Sequence, residues 1–401
     1  MVRKWAGNIA LVFMGCGVAF VLAEIGLWLF GISYPSFFIA DNLTGYAHKP
    51  GTEGLYSDEG EAYIRINRSG LRDHEHTLEK PVGTFRIALL GDSYTEALQV
   101  PTEQIYGVRL EHELSDCPSL AGRQIEAMNF GVSGFSTAQE LLVLRHKASP
   151  YDPDLVLLAL YTENDIRGNL KELYGKNNIP YFIMNAGHLV LDNSFHHTTE
   201  FWFQHLPLSA EVFEVSRVLQ VFRHAKYKLK SFLEQGAQQR QMKDWEDPAL
   251  RLDQLVYLDQ PDPSWKQAWE ITERLIVQMK REVDDAGRRF LLVSLSNPDQ
   301  VHPDVQHRQA LARQLGVPDL LYPDRRIQSL AKREDIELLS LAEPLATYAE
   351  QHGVFLHGFQ NTALGKGHWN AAGHRLAGKL MSERICLMME SIVPAKDLQV
   401  E

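Results

Sequence analysis

Ser93 closes the tripeptide Gly91-Asp92-Ser93 directly after the apolar run Phe85-Arg86-Ile87-Ala88-Leu89-Leu90, and His368 lies far downstream in Gly367-His368-Trp369-Asn370. A serine hydroxyl is a weak nucleophile until a neighbouring base takes its proton, and histidine is the side chain best suited to that task near neutral pH. A serine at the carboxyl end of a buried parallel strand also sits where open α/β sheets bind their ligands. The pair points to hydrolysis or transfer of an acyl group through a covalent serine intermediate.

Two further segments can complete such a site. Asn129-Phe130-Gly131-Val132-Ser133-Gly134 follows a second apolar run, and Thr162-Glu163-Asn164-Asp165 follows a third. The backbone N–H groups of Ser93 and Gly134 and the side-chain amide of Asn164 make three candidate donors for a tetrahedral oxyanion. One such donor typically carries about 10²–10³ in rate. Each residue also has an ordinary alternative: Ser93 as a helix N-cap, Asn164-Asp165 as the cap of the next helix, and His368 as a hydrogen-bonded structural histidine. Ser133 and Ser136 are competing hydroxyls, but 131–136 holds no Gly-x-Ser-x-Gly elbow. Asp92 reads as support for the loop presenting Ser93, and His374 as a structural residue on the following helix.

The elements that must position these groups alternate along the chain. Apolar, β-branched runs at 85–90, 125–130, 155–161, 290–295 and 336–341 read as strands, and stretches such as 105–114 and 137–147 read as helices between them. That alternation predicts βαβ units and an α/β fold, a three-layer α/β/α sandwich on a five-stranded parallel sheet. All four chemical segments then fall at carboxyl ends of strands or just beyond the last. The connection from the third strand to the fourth is much longer than the dozen or so residues a crossover needs. Within it, 180–184 and 188–192 flank Asn185-Ala186-Gly187 as a β-hairpin, and a helical stretch is expected around 209–240. A further helix at 264–286 carries Trp269, Ile276, Met279 and Val283 at helical spacing and reads as the crossover itself. The expected organisation is 1–32 as cytoplasmic stub and membrane helix, 33–83 as a stalk or an extension packing on the catalytic domain, and 84–392 as that domain. An insertion at about 168–263 interrupts it, and 393–401 is a tail.

Together the four segments resemble the blocks of the SGNH/GDSL hydrolase superfamily, in that family's order, from about 85 to 389. The resemblance implies a flavodoxin-like sandwich in which Ser93 is the nucleophile, His368 the base, and Ser93, Gly134 and Asn164 the oxyanion hole. The sequence departs from the family at one place. The usual aspartate three residues before the histidine is Gly365 here, and Lys366 stands where a variant in alginate O-acetylation proteins has its aspartate. The third member of the triad is therefore open. Asp324, Glu343 and Glu163 are candidate carboxylates, and a backbone carbonyl or a plain Ser-His dyad are alternatives. Glu163 also replaces a usual glycine.

Arg3 and Lys4 precede an uncharged stretch from Trp5 to Ala23, and after Glu24 apolar character resumes through Ile32. About 20 mostly apolar residues span a bilayer, and the flanking charges place the N-terminus in the cytoplasm and the rest outside. An uncleaved signal anchor is expected. A cleaved signal peptide is the alternative, and a lipoprotein signal at Cys16 has a poor lead-in. The formal net charge is −11 over 401 residues, with no basic stripe of the kind a nucleic-acid binder carries. Three cysteines without a CxxC pattern predict neither a disulfide framework nor a zinc site. His196-His197 and His205 lack a ligand pattern, so no metal and no cofactor is expected. The resemblance and the location together imply an extracytoplasmic esterase removing O-acyl, in particular O-acetyl, groups from a glycan, another cell-envelope substrate or a small ester. An O-acetyltransferase acting on a polysaccharide hydroxyl and a non-catalytic binding protein on a decayed hydrolase fold are the alternatives.

Overall fold

The computed structural model describes residues 2–204, 215–226, 228, 252–259 and 262–390. Its first helix, Val2–Leu29, contains a span, Leu11–Leu29, with a mean hydropathy of 2.0 and no buried share. By length and composition it can cross a membrane. Trp5 and Trp28 stand exposed near its two ends. Glu24, one turn inside the far end, accepts hydrogen bonds from the backbone N–H groups of Arg217 (2.9 Å) and Val218 (3.2 Å) and from the Ser216 hydroxyl.

The next stretch folds into two antiparallel hairpins. β1 (Phe38–Asp41) pairs with β2 (Gly45–His48), and β3 (Glu53–Tyr56) pairs with β4 (Ala62–Arg65). Two strands alone are marginal in water, so these hairpins depend on what they pack against. Phe37, Ala62, Ile64 and Ile66 bury themselves around Leu98, just past Ser93. Arg72 is fully buried and donates to the carbonyls of Glu96 (2.7 Å), Ala97 and Val100 (2.5 Å). The segment is thereby fastened beneath the turn that carries the serine.

The central sheet is built from β5 (Thr84–Gly91), β6 (Gln124–Asn129), β7 (Leu155–Leu160), β10 (Arg289–Ser294) and β11 (Glu337–Ser340), after a separate hairpin of β8 (Tyr181–Asn185) and β9 (His188–Asp192). Its order is β11-β10-β7-β5-β6, every pair parallel. Strands covered on both faces need near-continuous apolar sequence, and every residue of β5 and β7 is buried. Alternation along β5 sends Ala88 and Leu90 to one core and Ile87 and Leu89 to the other. The first core is closed by helices Thr137–Val143, Pro263–Asp285 and Tyr322–Arg333, and the second by Tyr106–Leu114, Ala342–His352 and Ala371–Glu390. This is the expected three-layer sandwich. Its order reverses between β5 and β7, and such a switch point opens a crevice outside the carboxyl ends of those two strands.

The β8–β9 hairpin turns through Ala186 (φ 48°) and Gly187 (φ 84°), the positive pair a tight two-residue turn requires. Pro263–Asp285 is the crossover helix, its capping residue Asp262 accepting from Ser264 N and Trp265 N. Of the helical stretch expected at 209–240, residues 217–226 are helical and most of the rest lies outside the described residues. One expectation is corrected. Cys117 and Cys386 form a disulfide. Their separation of 269 residues hid the pairing, and it is the packing of Tyr106–Leu114 against the last helix that brings them together.

Candidate active site

Gly91 ends β5 and the chain turns at once into a four-residue helix, Ser93–Glu96. Asp92 caps it, its Oδ1 accepting from Tyr94 N (2.9 Å), while its Oδ2 accepts from Asn164 Nδ2 (2.7 Å). Asp92 is fully buried, and burial pushes its carboxyl pKa up against the lowering effect of those two hydrogen bonds. The contact joins the ends of β5 and β7 across the switch point. An amide nitrogen has two hydrogens. One Asn164 N–H is spent on Asp92, which fixes the plane and leaves the other to donate elsewhere.

The Gly134 loop is aimed from both sides. Ser133 donates its N–H (2.9 Å) and its hydroxyl to Glu96 Oε2, whose other oxygen is taken by His48 Nε2. Tyr46 donates to the carbonyl of Ser133 (2.9 Å) and Tyr174 to that of Gly134 (2.8 Å). Gly134 has φ +72°, a conformation that an L side chain would strain. With both carbonyls held back, the N–H of Gly134 is free of any acceptor among the described residues, as is that of Ser93. Of the competing hydroxyls, Ser133 is spent on Glu96, and Ser136 is the N-cap of Thr137–Val143.

His368 reaches the serine from the far end of the chain. Its Nε2 lies 2.7 Å from Ser93 Oγ, and its Nδ1 lies 2.5 Å from Glu59 Oε2. The backbone N–H of His368 donates to Glu59 Oε1 (2.8 Å), so one carboxylate holds both ring and main chain. With Nδ1–H donating to Glu59, the lone pair of Nε2 faces the serine hydroxyl, the tautomer this network assigns. Burial works against the imidazolium, but the hydrogen bond and charge of Glu59 outweigh it and raise the His368 pKa above its ordinary 6.5. Burial likewise works against the Glu59 carboxylate, and His368 outweighs it and lowers that pKa below 4.5.

The sequence reasoning missed Glu59, which lies between β3 and β4 in the stretch assigned to a stalk or extension. Two of the three candidates it offered instead are engaged elsewhere. Asp324 accepts from Ser294 Oγ (3.1 Å) and Gln300 Nε2 (2.6 Å). Glu163 pairs with Arg167 (3.3 Å), and Glu343 sits in the first turn of Ala342–His352. A signal for Glu59 does exist at Gly367. Its φ is +70°, and a Cβ there would collide with Glu59 Oε1. Gly365, at the usual aspartate position, instead packs on Phe355.

The loop bearing His368 is pinned. Gly358 N donates to His368 O (2.9 Å), and Trp369 Nε1 donates to Ser296 Oγ (3.0 Å). His357 is buried, its Nδ1 2.8 Å from Gly367 O and its Nε2 3.1 Å from Ser296 Oγ. Burial lowers its pKa to about 3, so it stays neutral and serves as a brace. His374 is likewise buried, with a pKa lowered to about 3 by burial, and belongs to the structure. Asn361 closes the Glu59 loop, accepting from Gly60 N (2.9 Å) and donating to Gly60 O (2.8 Å). His196 bonds the carbonyl of Asn42 (2.8 Å), and His205 lies outside the described residues.

The three-layer sandwich on a five-stranded parallel sheet, with the four segments at one rim, is what the resemblance to the SGNH/GDSL hydrolases implied. No protein-family model and no curated protein matches the chain. Among solved structures it is similar to an acetyl xylan esterase (12% identity, 75% of this chain and 100% of that one, TM-score 0.39). It is similar also to a catalytic mutant of an acetylxylan esterase from Geobacillus stearothermophilus (11%, 76% and 96%, TM-score 0.37). A third likeness is to a GDSL-like lipase from Bacteroides thetaiotaomicron (12%, 76% and 88%, TM-score 0.32).

Proposed function

We propose that the chain is a serine esterase of the SGNH type that works through a Ser93–His368–Glu59 triad. The observation that carries this reading is the chain of contacts from Glu59 through His368 to Ser93, at 2.5 and 2.7 Å. His368 Nε2 takes the Oγ proton as Ser93 attacks the ester carbonyl, then returns it to the leaving alcohol; water resolves the acyl-enzyme by the reverse use of the same base. The N–H groups of Ser93 and Gly134 and the free N–H of Asn164 receive the oxyanion. Glu59 supplies the carboxylate whose local absence was the ground for a decayed, non-catalytic fold.

The substrate is an O-acyl, in particular O-acetyl, ester on a glycan or other envelope component, met outside the cytoplasm. Arg3 and Lys4 before the apolar helix favour that orientation. The Cys117–Cys386 disulfide favours it too, because such bonds persist in oxidising compartments. The test is hydrolysis of p-nitrophenyl acetate by the full chain in detergent. Ser93→Ala is expected to lower kcat by about 10⁴-fold or more and to abolish labelling by a fluorophosphonate. Full activity in that variant would end the assignment.

A further inference from the structure

Away from the triad, residues 73–76 fold back against β6 and bring together groups that the proposed esterase chemistry does not use. Asp73 Oδ1 lies 2.9 Å from His74 Nδ1, and Asp73 Oδ2 lies 3.1 Å from His76 Nε2. One ligand atom from each of the three residues lies within 4.8 Å of the others. The two imidazole rings are 4.1 Å apart, centre to centre. Ligands with arms of about 2.0–2.1 Å around a tetrahedral zinc are separated by about 3.4 Å, a few tenths of an ångström more than the 2.9 and 3.1 Å from Asp73 to the two imidazoles.

His76 makes the arrangement more than an ion pair. Its side chain is 1% exposed; its Nε2 faces the Asp73 carboxylate at 3.1 Å but off hydrogen-bond geometry, and its Nδ1 has no hydrogen-bond partner among the described residues. A buried imidazole left this way is costly. Its Nδ1 points towards Glu126 Oε2 at 3.9 Å, and that carboxylate is itself fixed by Arg86 Nε at 2.6 Å. Metal-ligating imidazoles are oriented by a carboxylate on the other ring nitrogen; here that carboxylate faces Nδ1 from beyond hydrogen-bond reach.

We infer that Asp73, His74 and His76 bind one divalent transition-metal ion of the zinc class, through an Asp73 oxygen, His74 Nδ1 and His76 Nε2. Two imidazoles and one carboxylate suit zinc, whereas magnesium and calcium take oxygen ligands in larger number. His74 is 55% exposed, so the fourth position is open to water and the ion has an entry path. Asp73 Oδ2 also accepts from Asn129 N (2.9 Å), and Asn129 Oδ1 accepts from Gly131 N (3.0 Å). A bound ion would therefore brace the end of β6, from which the Gly134 loop departs.

The experiment uses the full chain in detergent, stripped with EDTA and titrated with ZnCl₂ by calorimetry, with metal content measured after dialysis. One zinc per chain is expected, with a rise in Tm that the same concentration of MgCl₂ does not give. His76→Ala should weaken binding at least about tenfold. His74→Ala should do the same; its side chain is largely in solvent, so it decides the matter if His76→Ala fails to fold. Absence of saturable one-to-one zinc binding in the unaltered chain would overturn the site. So would undiminished binding in His74→Ala.

Discussion

The raised pKa of His368 sets two pH ranges against each other. As the proposed base it must be neutral, so activity is expected to fall as pH drops through a value above 6.5, the ordinary imidazole pKa. The ion pair with Glu59 behaves in the opposite sense. A group whose folded pKa is raised stabilises fully below its unfolded value and loses that contribution as pH rises through the folded one. Glu59, with its pKa lowered, contributes above 4.5 and loses its contribution as pH falls. The pair is therefore strongest between about 4.5 and 6.5, on the acid side of the range where the base works. Glu59→Gln removes the charge that lifts His368, so the acid limb of kcat/KM should move to lower pH. It should also cut kcat by about 10³–10⁴-fold, the scale seen when the orienting carboxylate of a triad is lost. A pH profile of p-nitrophenyl acetate hydrolysis reads both effects, and an unmoved limb would show that Glu59 does not set the imidazole's charge.

At the scale of elements, the readable parts were those whose function depends on local pattern. Buried parallel strands need apolar runs, so β5, β6, β7, β10 and β11 stood out, and Ser93, Gly134 and Asn164 could be placed at their ends. Glu59 could not. It is brought in from 309 residues away, by a hairpin loop whose place is set by tertiary contacts and not by periodicity. Cys117 and Cys386 escaped for the same reason. Yet the meeting of the two loops leaves a mark at Gly367, where a methyl group would collide with the Glu59 carboxylate. Gly367→Ala should therefore displace Glu59 from His368 and reduce kcat much as Glu59→Gln does. The positive φ at this position adds a stability cost of about 1 kcal/mol or more. The informative measurement is the double variant Glu59→Gln/Gly367→Ala. If both changes act through one contact, its kcat should lie close to that of Glu59→Gln alone. Losses that multiply would mean Gly367 matters for another reason.

For the whole molecule, the consequence is that the stretch between the apolar helix and the sheet is part of the proposed site. Residues 33–83 deliver Glu59 to His368, His48 to Glu96 and Arg72 to the turn after Ser93. Among the described residues the apolar helix delivers nothing comparable: its hydrogen bonds beyond its own turns run from Glu24, Leu27 and Trp28 to Ser216, Arg217 and Val218. Removing 1–32 takes away the exposed apolar surface of Leu11–Leu29 and leaves the proposed triad, the Gly134 loop and the disulfide intact. A chain of 33–401 should therefore be soluble without detergent and hydrolyse p-nitrophenyl acetate within about twofold of the full chain, the change expected when no group that stabilises the transition state is altered. A chain of 84–401 keeps every strand of the sheet but loses the carboxylate, and its kcat should fall at least as far as that of Glu59→Gln. Equal activity in 84–401 and 33–401 would show that the nucleophile and base need nothing from the N-terminal hairpins, and the triad role of Glu59 would fall with it.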